Sequence, residues 1–104
     1  MKEFVSLGDS PEPTKVWGST PLFNLIDGRK LLDYCDKHDA AVLGIEGFKI
    51  IGGERIPDLD CIVDFSKLTT TGEKFAVLSR RAARQFLDSI LNKDIFLEFV
   101  LVTL

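Results

Sequence analysis

The 104-residue sequence is poor in the residues that build catalytic and metal centres. It holds one histidine, His38, and two cysteines, Cys35 and Cys61, with no Cys-x-x-Cys pair. A structural zinc site needs four ligands of this kind and a disulfide framework needs more thiols, so neither is expected and a reducing compartment suits the chain. Gly-x-Ser-x-Gly elbows, P-loops and dinucleotide fingerprints are absent, and Gly44, Gly47, Gly52 and Gly53 have the wrong spacing for a phosphate cradle. Long apolar runs are missing too. The longest, from Ile95 to Leu104, is interrupted by Glu98 and is about half of the roughly 20 residues that span a bilayer. The opening MKEFVSLGDSPEP lacks the apolar core of an export signal, which makes the cytosol the expected compartment. Positive charge is not in excess: 13 Lys and Arg stand against 16 Asp and Glu, a net charge of −3. That sign disfavours nucleic-acid binding through the whole surface and favours a basic partner.

What is present reads as one globular domain over residues 1–104, with 45% hydrophobic and 28% charged residues. Residues 1–18 read as an N-terminal arm or strand and a loop: Glu3-Phe4-Val5-Ser6-Leu7 alternates, Pro11 and Pro13 forbid regular structure, and Val16 and Trp17 pin the loop down. A helix is predicted from Pro21 to His38, opened by the hydroxyls of Ser19 and Thr20, with Gly28 dividing it and Asp27 capping the second piece. His38, at its end, reads as a capping or solvent-exposed group. Ala41 to Ile51 and Arg55 to Phe65 flank Gly52-Gly53 as a β-hairpin. Strict alternation places Leu59, Cys61, Val63 and Phe65 on a core face joined by Val42, Phe48 and Ile50. It places Asp58, Asp60, Ile62 and Asp64 opposite, beside Lys49. Pro57 puts its strand at a sheet edge or beside a bulge. Ser66 to Leu78 reads as a loop docked by Phe75, Val77 and Leu78. A second helix follows over Arg80 to Asn92 with Ser79 as N-cap, then a central strand, Ile95 to Thr103, buried on both faces. The expected fold is α+β, in the order (β)-α-β-β-α-β, with two helices packed on a small, mainly antiparallel sheet.

The acidic strand is the most informative feature. Pro57-Asp58 followed by Asp64 and Lys67 faintly resembles a restriction-nuclease signature, but five residues between the aspartates leave no room for the turn that chemistry needs, and two residues rather than one precede the lysine. No catalytic residue, metal or cofactor is therefore assigned. Two readings remain: a solvated edge-strand face with Lys49 as counter-ion, and a binding surface. On the second, Asp58, Asp60, Asp64, Glu46 and Glu54 face a partner, with Lys49 and Asp39 at the rim. Glu46 needs a bulge near Gly44 or Gly47 to turn outward. Arg80-Arg81-x-x-Arg84 is too short a run for direct nucleic-acid binding, and is expected to hold acidic groups of this chain or of a partner.

Val42-Leu43-Gly44-Ile45-Glu46-Gly47-Phe48, then Ile56-Pro57-Asp58-Leu59-Asp60, Ile62 and Asp64-Phe65-Ser66, resemble small immunity proteins of bacterial polymorphic toxin systems, including contact-dependent growth inhibition. The order of the flanking helices is similar over residues 19 to 100. The resemblance implies a non-enzymatic cytoplasmic inhibitor that binds a cognate toxin C-terminal domain one-to-one, the toxin being a basic nuclease in the simplest case. A cytosolic adaptor that self-associates through a sheet edge is the alternative.

Overall fold

The computed structural model describes residues 2–3, 10–66 and 72–103. In chain order the elements are β1 (Lys2–Glu3), β2 (Lys15–Trp17), β3 (Thr20–Leu22), α1 (Leu25–Lys37), β4 (Ala41–Ile51), β5 (Glu54–Asp64), α2 (Gly72–Ser89) and β6 (Phe96–Thr103). Strands β1-β6-β4-β5, in that spatial order, form an antiparallel sheet, and β2 pairs with β3 in a separate ribbon. The expected α+β architecture and its order are those observed, with the ribbon added. Of the alternating Glu3–Leu7 segment, Glu3 lies in β1 and residues 4–7 fall outside the described residues.

The first helix starts later than Pro21. Thr20–Leu22 is extended because Phe23, directly after it, exchanges two main-chain hydrogen bonds with Leu97 at 2.9 and 2.7 Å, and Gly18 at φ +61° closes the ribbon. Pro21, lacking an N–H, is tolerated in this short strand. Asn24 then serves as N-cap, its side-chain oxygen accepting the Asp27 N–H at 2.8 Å. The Thr14 hydroxyl accepts from the Asn24 N–H at 2.9 Å and donates to the Asp27 carboxylate, which anchors that cap. Gly28 does not divide the helix. A Cβ there would lie 3.2 Å from the Phe99 ring and 3.3 Å from Leu87, so glycine permits the close approach of α1 to β6 and α2. His38 is the C-cap, and Asp39 takes a left-handed φ of +52° while the Ala40 N–H reaches back to the Cys35 carbonyl at 3.0 Å.

The second helix starts earlier than Ser79. Phe75, Ala76, Ser79, Arg80, Ala83 and Leu87 are buried at helical spacing, so the stretch expected as a docked loop is the front of α2, and residues 67–71 lie outside the described ones. Ser79 is a buried mid-helix residue rather than an N-cap. Its hydroxyl donates to the Ala76 carbonyl at 3.1 Å and accepts the Val42 N–H at 3.0 Å, satisfying a β4 donor beyond the point where β5 stops pairing.

Both helices contribute to one core, in which Leu32 of α1 and Leu87 of α2 meet Val42, Ile45, Cys61 and Leu97 of the sheet. A second cluster joins Phe23 to Tyr34 and Cys35, with Phe99 edge-on to Phe23 at 5.8 Å. Strand β6 is central, as expected, but not buried on both faces. Val100 is 48% exposed and Glu98 is partly open. Leu97 and Phe99, on alternate positions, take the core side and leave the intervening residues to the other.

Candidate partner-binding hairpin

The β4–β5 hairpin closes on Gly52-Gly53, whose φ values of +59° and +79° give the double left-handed turn that matches strand twist. Two irregularities then reset its faces. Between Val42 and Gly44 the pairing with β6 slips, so Val42 and Ile45, three residues apart, enter the same core cluster. Glu46 therefore points away from that core, opposite Glu98. Phe48 shares the Glu46 side by alternation, which corrects its expected place beside Val42; it is nonetheless fully buried, against the Arg55 guanidinium 3.8 Å from its ring centre.

The second irregularity is larger. From Glu46 to Phe48 β4 advances two residues, while the partner positions on β5 run from Ile62 back to Pro57, five residues. Three extra residues bulge out opposite Gly47. The cause is steric: a Cβ on Gly47 would lie 2.6 Å from the Cys61 Cβ and 2.7 Å from the Ile95 Cδ1, so Cys61 occupies the space glycine leaves. Pro57, without a donor, stands at the start of the bulge, and the Asp58 carboxylate accepts the Asp60 N–H at 3.1 Å within it.

This bulge overturns part of the expected face assignment. Cys61, Val63 and Phe65 pack in the core as expected, but Leu59 is 82% exposed. Asp58 is half-buried rather than outward. Burial, reinforced by the charge and hydrogen bond of Asp58, raises the pKa of the Cys61 thiol above its ordinary value. Asp60 is exposed beside Leu59, Glu54 is exposed at the turn, and Asp64 stands at the far end of β5 with its carboxylate accepting the Ser66 N–H at 2.8 Å. The aspartates thus do not form one evenly spaced row.

The other named residues fall as follows. Glu46 and Glu98 share Arg55, at 3.3 and 2.7 Å, so Arg55 serves these carboxylates and not the bulge. Lys49 is exposed and pairs across with Ile56, not with an aspartate. Asp39 lies in the turn between α1 and β4, at the end of the hairpin opposite Gly52-Gly53, 3.7 Å from Arg80. Glu98 and Arg55 are the charged residues of this region that sequence reasoning left out of the set. Arg55 is the immediate neighbour of Glu54, and Glu98 was the charge that interrupted the last apolar run; only the strand order brings them together.

Two of the three α2 arginines, Arg80 and Arg84, are engaged within the chain. Arg80 is buried, 2.7 Å from Asp36, and donates to the Ala40 carbonyl at 2.8 Å. Arg84 reaches Asp33 and Asp36, both at 2.6 Å, and Arg29 of α1 reaches Asp88 at 3.1 Å. These pairs fasten α1 to α2; Arg81 stays exposed. A cavity of about 240 Å³ lies between Asp36, Val77 and the three arginines, of which Arg80 and Arg84 are paired with α1 carboxylates. Among the described residues no three His, Cys, Asp or Glu side chains are gathered to hold a metal ion, and no helix is long and apolar enough to cross a membrane.

Charge is distributed accordingly. Residues 41–64 carry five acidic and two basic residues, and the rest of the chain has eleven of each, so the formal net charge of −3 resides on the hairpin. No protein family, curated protein or solved structure matches the chain.

Proposed function

We propose that the chain is a non-enzymatic inhibitor that binds a basic partner through the β4–β5 hairpin, an immunity protein whose target is the C-terminal domain of a cognate toxin, a nuclease in the simplest case. The observation that carries this reading is the placement of the net charge on an exposed sheet edge while Arg80 and Arg84 of α2 are paired within the chain. A negative surface on a rigid hairpin speeds encounter with a positive cleft and excludes anionic substrate from it. Such a protein works in the cytoplasm of the toxin-producing cell, without a cofactor and without touching nucleic acid itself.

The test is co-expression with the polypeptide encoded immediately upstream. A one-to-one complex and rescue of growth support the reading; neither complex nor rescue removes it. Within a complex, Glu54→Lys with Asp60→Lys is expected to slow association roughly tenfold at low salt while leaving the melting temperature unchanged, because both side chains are exposed. Asp58 is left unchanged in this variant because its carboxylate holds the bulge.

The adaptor reading keeps one observation in its favour, the edge position of the 11-residue β5. Two copies would bring two negatively charged hairpins together, which opposes self-pairing. A concentration-dependent dimer in sedimentation, without any upstream partner, would reverse that ranking.

A further inference from the structure

Resting on that reading, we infer that Leu59 is the anchor of the interface and that the partner presents an apolar socket rimmed by lysine or arginine. Leu59 is 82% exposed and lies within the bulge of β5, away from the Gly52-Gly53 turn. On one side of it Pro57 fixes the backbone and the Asp58 carboxylate binds the Asp60 N–H; on the other Cys61 is locked into the space beside Gly47. A large apolar side chain is thereby held out of the sheet edge in one place, and the ordering cost of binding is already met by the fold.

Its surroundings specify the occupant. Asp58 and Asp60 flank Leu59, Asp60 exposed, with Glu54 exposed farther along the same strand, and the basic residues of the hairpin are turned elsewhere: Arg55 is engaged by Glu46 and Glu98, and Lys49 pairs across with Ile56. Ile56 and Ile62, 43% and 45% exposed, leave β5 on either side of the bulge. An apolar knob inside an acidic rim is complementary to a basic surface with a central apolar depression. It repels a second copy of itself. In this arrangement the apolar centre governs how long the complex lasts and the acidic rim governs how fast it forms.

The experiment is surface plasmon resonance of the complex with the upstream-encoded polypeptide, using Leu59→Ala, Leu59→Met and Asp60→Asn. Leu59→Ala is expected to raise the dissociation rate about tenfold or more with the melting temperature unchanged, and Leu59→Met to restore most of the lifetime. Asp60→Asn is expected to act on the association rate and to lose its effect in high salt. If the wild-type chain binds and Leu59→Ala dissociates within twofold of it, the anchor is wrong and the inhibitor reading stands. If the wild-type chain does not bind, both fall.

Discussion

Gly47 is the residue on which the hairpin turns. Its missing side chain lets Cys61 and Ile95 close over it, and that contact forces three residues of β5 outward. Gly47→Ala is expected to cost about 2 kcal/mol by overpacking, a loss that urea titration would measure. The same substitution should alter amide exchange at Asp60 while sparing α1, because the Asp60 N–H is bonded inside the bulge. Cys35 offers a second test. Burial is the main cause that pushes its thiol from 9.0 up to about 12. Between those values the unfolded chain binds fewer protons than the folded one, so stability is full below pH 9 and falls as pH rises, by about 1.4 kcal/mol per unit at most. Cys35→Ala should flatten that slope in denaturation curves taken from pH 9 upward; an unchanged slope would show that the thiol is not the group responsible.

At the scale of elements, the contact between α1 and α2 is fastened by ion pairs that a reading of either helix alone leaves open. Arg80 is buried between Asp36 and the Ala40 carbonyl, so Arg80→Ala is expected to destabilise the fold by about 3 kcal/mol, whereas Arg81→Ala should change stability by less than about 0.5 kcal/mol. A thermal melt that ranks them the other way would contradict this division. The α2 boundary was misplaced for a related reason. Ser79 is a favourable N-cap by type, which places the predicted start of the helix there. In the folded chain Ser79 serves the unpaired Val42 N–H and Arg80 lies under α1, and both needs arise only when the helix meets β4 and α1. By contrast, the Gly-Gly hairpin turn was legible because its left-handed geometry depends on those two residues alone.

For the whole molecule, the decisive property is the position of charge. The net −3 was visible in composition, and its concentration in residues 41–64 could be counted along the chain. Which acids are available was not countable. Glu46 shares Arg55 with Glu98, Asp58 is turned into the bulge, Asp39 belongs to the helix pair, and Glu54 and Asp60 are left exposed. Sequence by itself determined the α+β order, the hairpin and its turn, and the sign of the surface, because periodicity, turn chemistry and formal charge are local. Tertiary structure alone decided the exposure of Leu59, the side taken by Phe48 and the partners of the arginines. Each depends on a shift of register or an ion pair between distant segments: the three-residue bulge turns Leu59 out while Cys61, Val63 and Phe65 keep the core side, and the slip between Val42 and Gly44 moves Phe48 to the other face.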